Sequence, residues 1–250
     1  GTLNILGARP AMGKSAFALN LAVHAAQTLM KPVLFFSLEM GKAELAQRIL
    51  SSEASVDGQL LRTGRPSPND WTKISHAVGR LDIPLTIDDS AGTSVGQIRA
   101  KARRTISREG GLALIVIDYL QLMGGDGRPE NRQLEVSEIS RKLKLLAREF
   151  SVPVLALSQL SRQLEARTEK RPTLSDLRES GALEQDADVV MFLFRPEIYD
   201  QDPNLKGKAE INVAKHRAGP LGTAQLAWLS TYTRFESVAS DPVVDAALRN

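Results

Sequence analysis

Short continuous apolar runs alternate along the chain with stretches whose apolar residues recur every three or four positions. The runs Leu3–Leu6, Val33–Phe36, Leu112–Ile117 and Val154–Leu157 have the length and aliphatic character of strands buried on both faces. Ile139, Leu143, Leu146 and Phe150 recur at i, i+4, i+7 and i+11, which is one helix face. Val95, Ile98, Ala102 and Ile106 mark a second such face. Strands alternating with helices predict an α/β fold with a mostly parallel central sheet and helices on both faces. Residues 159–187 are polar and aperiodic, and they read as a long loop. Strand-like runs return at Val189–Phe194, Ala209–Ala214 and Ala224–Leu229. "KHRAGPLG" joins the last two, and its Gly and Pro predict a hairpin tip and an antiparallel strand extension. Residues 1–236 read as one domain. Residues 237–250 read as a loosely ordered tail, or one with a short docking helix around Val243–Leu248. No repeat or low-complexity segment interrupts the pattern. The start of the chain on its first strand suggests the edge of an excised domain.

Composition narrows the picture by exclusion. The 250 residues contain no Cys and three His, which rules out disulfides and thiolate metal sites and argues against zinc. That usage fits a reducing cytoplasm. No signal peptide and no bilayer-length apolar run is present, so no membrane association is expected. A formal charge of +3 permits an acidic partner without demanding one. The basic stretch at residues 99–108 lies off the apolar face of its helix and reads as a solvated surface. The basic residues within 162–171 either line a channel or solubilise a loop. His24 and His76 read as packing or surface groups. Trp71 and Trp228 read as core residues in a helix and a strand.

Chemistry concentrates where the apolar runs end. Ligands of open α/β sheets gather beyond the carboxyl ends of the strands. After Leu3–Leu6 comes Gly7–Ser15, "GARPAMGKS", which closes on the Gly-Lys-Ser of the phosphate-binding loop and carries Ala8 in the first glycine slot. Ala is tolerable there if its φ is negative. The backbone of Ala11, Met12, Gly13, Lys14, Ser15 and Ala16 is expected to wrap the phosphates of ATP at a helix start. Lys14 spans the β- and γ-phosphates, and the Ser15 hydroxyl ligates Mg²⁺. Asp118 ends an aliphatic run and is expected to hold the Mg²⁺ shell with Ser15. Glu39, after Val33–Phe36, is the candidate general base. Gln159, after Val154–Leu157, is the candidate sensor of the γ-phosphate.

"GARPAMGKS", "FSLEM", "IVIDYLQLM", "SQLSR", "SDLRESGALEQDAD" and "KHRAGP" together resemble the ordered motif series of the bacterial replicative DNA helicases, the DnaB family, from Gly1 to Phe235. Ala8 is common in that family. The resemblance implies a RecA-like motor domain working as a homo-hexamer around single-stranded DNA and travelling 5′ to 3′. The family's N-terminal primase-binding domain and linker helix are absent, so contacts with primase and a helicase loader would run through regions partly missing here. The resemblance places Arg178, Glu179 and Gly181 on the DNA strand. It makes Arg217 an arginine finger and Lys215 its partner, both acting on the neighbouring subunit's nucleotide. In this scheme each hydrolysis cycle changes the Gln159 and Lys215–Arg217 contacts and so shifts the Arg178 loop. The same core also suits a RecA-like ring or filament protein that uses ATP as an assembly switch without unwinding. A P-loop kinase would leave the DNA motifs unexplained.

Overall fold

The computed structural model describes residues 1–123 and 132–238, apart from the side chains of residues 132, 133 and 178–180. The described residues form one nine-stranded sheet flanked by helices. In chain order the elements are β1 (Leu3–Ala8), α1 (Lys14–Leu29), β2 (Val33–Ser37), α2 (Lys42–Ala54), α3 (Gly58–Thr63) and α4 (Pro68–Arg80). Then come β3 (Leu85–Asp88), α5 (Val95–Glu109), β4 (Leu114–Asp118), α6 (Arg132–Phe150) and β5 (Val154–Gln159). The chain closes with α7 (Gly181–Asp186), β6 (Val189–Phe194), β7 (Lys208–His216), β8 (Gly222–Leu229) and β9 (Arg234–Ser237).

The sheet order is β3-β2-β4-β5-β1-β6-β7-β8-β9. The six strands from β3 to β6 run parallel, and β7, β8 and β9 are added antiparallel. Alternation along each strand divides the core. Ile5, Leu34, Phe36, Ile115, Ile117, Val154 and Ala156 face α5 and α6. Leu6, Phe35, Val116, Leu155 and Leu157 face α1 and α2. Both faces are covered, which is why these strands read as unbroken apolar runs. The helix faces expected from periodicity are the buried ones: Val95, Ile98 and Ala102 on α5, and Ile139, Leu143 and Leu146 on α6. Local chemistry fixes the helix starts. Ser94 and Gln97 form a capping box before α5, and Ser67 and Asp70 form another before α4, with Pro68 at its first turn.

Several expectations need correction. Residues 159–187 are not a featureless loop: β5 runs to Gln159, 3-10 turns cover Arg162–Ala166 and Leu174–Ser180, and α7 follows. Their polarity reflects internal ties. Arg167 donates to Asp176 at 2.7 Å and Arg171 to Glu210 at 2.7 Å, so these two cations anchor the segment. Trp71 is 56% exposed on α4 and not in the core. The edge strands β3 and β9 carry too few apolar residues to stand out in sequence. The solvated reading of residues 99–108 agrees with the fold, since Arg99 and Arg103 pair with Glu149, and Lys101 with Asp88. Residues 239–250, including the suggested helix at 243–248, lie outside the described residues.

Candidate functional site

Parallel pairing brings the polar strand ends to one edge of the sheet. Ala8 is in register with Gln159, and Ser37 with Asp118. A cleft of about 530 Å³ opens there, with Gly13, Lys14, Ser15, Glu39 and Gln159 in its wall. The structure therefore gathers the P-loop, the candidate base and the candidate sensor in one cavity, with Asp118 buried behind Lys14.

The loop between β1 and α1 holds an unusual backbone. Gly13 has φ +89°, and a Cβ there would stand 3.0 Å from the Phe235 ring. Glycine is required at this position twice over, by conformation and by space. Ala11 also has a positive φ, +66°, a strained value for a residue with a side chain. Its carbonyl accepts a hydrogen bond from Arg195 Nη1 at 3.1 Å, which helps hold the turn. Strain of this kind persists where the surroundings over-determine a functional loop. Ala8 lies in β1 and is not among the positive-φ residues, so the departure from glycine is accommodated.

Lys14 Nζ lies 3.7 Å from Asp118 Oδ1 and 4.2 Å from the Tyr119 ring centroid. Burial pushes its pKa below the ordinary lysine value, with Asp118 and Glu39 pulling the other way. Asp118 is fully buried, and neither carboxylate oxygen accepts a hydrogen bond among the described residues. Lys14 offsets its charge at 3.7 Å without making a hydrogen bond, which leaves both oxygens open to a further cation. The donor set is oxygen-based and small, which suits Mg²⁺, an ion that keeps water and phosphate ligands and does not need a protein cage.

Two clips set the geometry. The Ser37 hydroxyl donates to the Met40 carbonyl at 2.6 Å and accepts from the Met40 N–H, closing the turn that presents Glu39. Gln121 donates to Ser158 Oγ and to the Gln159 carbonyl, and its Oε1 accepts from the Gln159 N–H. The end of β5 is thereby fastened to the turn after β4.

Sequence reasoning missed the far wall of the cleft. Arg48, Arg195, Trp228 and Thr233 line it, and the Arg195 guanidinium sits 4.7 Å from the Trp228 ring centroid. Trp228 is half-buried, packed on the core beside Phe235 and also lining the cleft, so its core assignment holds in part. Arg195 directly follows the buried strand β6, so the strand-end rule applied once more would have found it. Trp228 carried no such signal.

Lys215 and Arg217 lie elsewhere. Arg217 N–H donates to the Asp188 carbonyl, and Asp188 N–H to that of Leu3. This is the start of β1, whereas the P-loop follows its end at Ala8. At about 3.3 Å per residue the two edges are roughly 16 Å apart, beyond the reach of one arginine side chain. Gly181 is exposed at the start of α7 with φ −52°, and no described atom lies within 4 Å of where its Cβ would stand. The fold itself does not demand glycine there. The side chains of Arg178 and Glu179 lie outside the described residues; their backbone belongs to the Leu174–Ser180 turn.

The family described as "DnaB-like helicase C terminal domain" matches residues 1–237. The chain is 53% identical over 235 residues to the replicative DNA helicase DnaB of Geobacillus stearothermophilus, covering 93% of this chain and 52% of that protein. It is 52% identical over 235 residues to the replicative DNA helicase DnaC of Bacillus subtilis (strain 168), with the same two coverages. The chain thus spans about half the length of these curated relatives. Among solved structures, an ATPase domain superposes with a TM-score of 0.91 at 43% identity, over 95% of this chain and 84% of that one. A DnaB-like replicative helicase studied for its interactions with primase superposes with a TM-score of 0.92 at 43% identity, over 95% of this chain and 57% of that one.

Proposed function

The chain belongs to the family of DnaB-like helicase C-terminal domains, and on that premise we propose that it is an ATP-driven motor. It moves 5′ to 3′ along one DNA strand as part of a homo-hexamer and displaces the other strand at the replication fork. Its wider partners would be primase and a helicase loader, met partly through regions outside this chain. A cytoplasmic setting belongs to the same proposal; no helix of the described residues is long and apolar enough to cross a membrane.

One observation carries the reading. The hydrolytic groups share one edge of the sheet, while Arg217 and Lys215 are held at the opposite edge, out of reach of their own subunit's nucleotide. The backbone of Ala11–Ala16 cradles the phosphates, aided by the positive end of α1. Lys14 offsets charge on the β- and γ-oxygens. Ser15 and Asp118 would hold Mg²⁺, which when bound neutralises charge between these phosphates. Glu39 takes the proton of the attacking water, and Gln159 reports the γ-phosphate to the segment behind it. Arg217, with Lys215, is supplied by the neighbour. Arg178, Glu179 and Gly181 meet the DNA backbone, where the unfilled space at Gly181 lets a phosphate approach.

The nucleobase would lie on the Trp228 side of the cleft, beside Arg195. Stacking on an aromatic ring contributes about 1–3 kcal/mol per base. Trp228→Ala is therefore expected to raise the KM for ATP roughly tenfold and to change kcat by less than about twofold, whereas Trp228→Phe keeps most of the affinity. A steady-state titration with an unchanged KM would remove the base from this wall.

The function is tested on a forked duplex with a 5′ single-stranded tail. ATP-dependent strand displacement, lost in Lys14→Ala, is the expected result. DNA-stimulated ATPase without displacement would favour the ring or filament reading.

A further inference from the structure

Lys215 and Arg217 are not idle at their edge of the sheet. Lys215 Nζ donates to the carbonyl of Glu184 and, at 3.4 Å, to that of Gln185. Arg217 Nη2 donates to the same Gln185 carbonyl. Both acceptors belong to the last turn of α7. The Arg217 Nε is also 3.9 Å from Asp188 Oδ1. Asp188 in turn accepts from the Leu3 N–H at 2.8 Å and pairs with Lys144 of α6. Arg217 is half-exposed, so it is both held by its own subunit and open to another.

Such contacts have an ordinary structural use. Basic side chains near a helix carboxyl end satisfy its last carbonyls and complement its dipole. That reading does not explain why the two cations so engaged are those proposed to act on a neighbour. The contacts to Gln185 and Asp188 take up the Nη2 and Nε side of the guanidinium fork, so a foreign γ-phosphate that engages that fork in bidentate fashion must displace them.

We propose that the carboxyl end of α7 and Asp188 form a holding site for Lys215 and Arg217, with Asp188 a positioning residue that limits delivery of the arginine finger to the neighbouring subunit. This rests on the trans-acting assignment of Arg217 above. The site competes with the neighbour's triphosphate for the same cations. When they leave, α7 loses two carboxyl-end partners, and α7 is joined directly to the turn Leu174–Ser180 that leads into Gly181. DNA bound at the amino end of α7 and ATP bound next door would then be coupled through one six-residue helix.

Asp188→Asn keeps an oxygen for the Leu3 N–H and removes the charge that attracts Arg217. Exposed ion pairs contribute about 0.2–1 kcal/mol, a factor of roughly 1.4 to 5. Steady-state ATPase of the assembled protein without DNA is expected to rise two- to fivefold in roughly that range, and the stimulation by single-stranded DNA to fall correspondingly. Lys144→Gln removes the rival partner of Asp188 and should do the opposite, lowering DNA-free turnover by about twofold; it serves as the independent test if Asp188→Asn does not fold. Turnover and stimulation unchanged in Asp188→Asn, while Arg217→Ala is inactive, would overturn the holding site alone. A rise in Lys144→Gln equal to that in Asp188→Asn would also overturn it, because loss of the Lys144 ion pair then explains both. Parental turnover in Arg217→Ala would overturn the trans assignment and the holding site together.

Discussion

Arg217→Ala is expected to bind MgATP with unchanged affinity and to turn it over about 10³–10⁵ times more slowly. Charge redistributes over the γ-oxygens as the phosphoryl group leaves, and a guanidinium brought in from outside stabilises that distribution more than it stabilises the ground state. Affinity survives because Arg217 is far from its own P-loop. The Ala11–Ala16 backbone and Lys14 are untouched by the change. A mixing experiment separates action on a neighbour from action within the subunit. Glu39→Gln subunits keep the arginine and lack the base; Arg217→Ala subunits keep the base and lack the arginine. Interfaces that pair an intact base with an intact arginine should recover ATPase when the two are mixed. No recovery, under conditions where subunit exchange is independently demonstrated, would sink the trans assignment and with it the ring mechanism.

Glu39→Gln is the second large effect. It should bind MgATP normally and hydrolyse it about 10²–10⁴ times more slowly, the range for loss of a general base. The amide preserves shape, and the turn that presents residue 39 is closed by Ser37 and Met40, so the cleft should keep its form. Pre-steady-state kinetics distinguish the cause. Loss of the base slows the chemical step itself, whereas a distorted cleft would also weaken nucleotide binding. Near-parental turnover would reduce Glu39 to a residue at the approach to α2 and move the base elsewhere.

The central sheet was legible because its strands are buried on both faces. Leu3–Leu6, Val33–Phe36 and Val154–Leu157 had no solvent side to break their apolar runs, and each run led directly to a polar strand end. The α5 and α6 faces were equally plain, since a helix on a sheet repeats its contact every three to four residues. Position in the chain was therefore enough to nominate Lys14, Glu39, Asp118 and Gln159 as companions, because parallel strands deliver their carboxyl ends to one edge. Other features had no sequence signature. The half-buried strand β3 and the short edge strand β9 lack an apolar run. The ties of Arg167 and Arg171 join distant segments through charge, which leaves no periodicity. Trp228 reaches the cleft only because β8 and β9 fold back beside α1, and the ring of Phe235 explains Gly13 only once that strand is in place.

What the sequence by itself determined is the alternation of strands and helices and the identity of the groups at the strand ends, because both follow from local pattern and from the direction of parallel strands. What only the tertiary structure decided is distance. The antiparallel return of β7 sets Lys215 and Arg217 beside Asp188 and the end of α7, at the edge away from their own P-loop. Register between strands far apart in sequence fixed that placement, and register is set by how whole layers pack, which no local stretch of residues specifies.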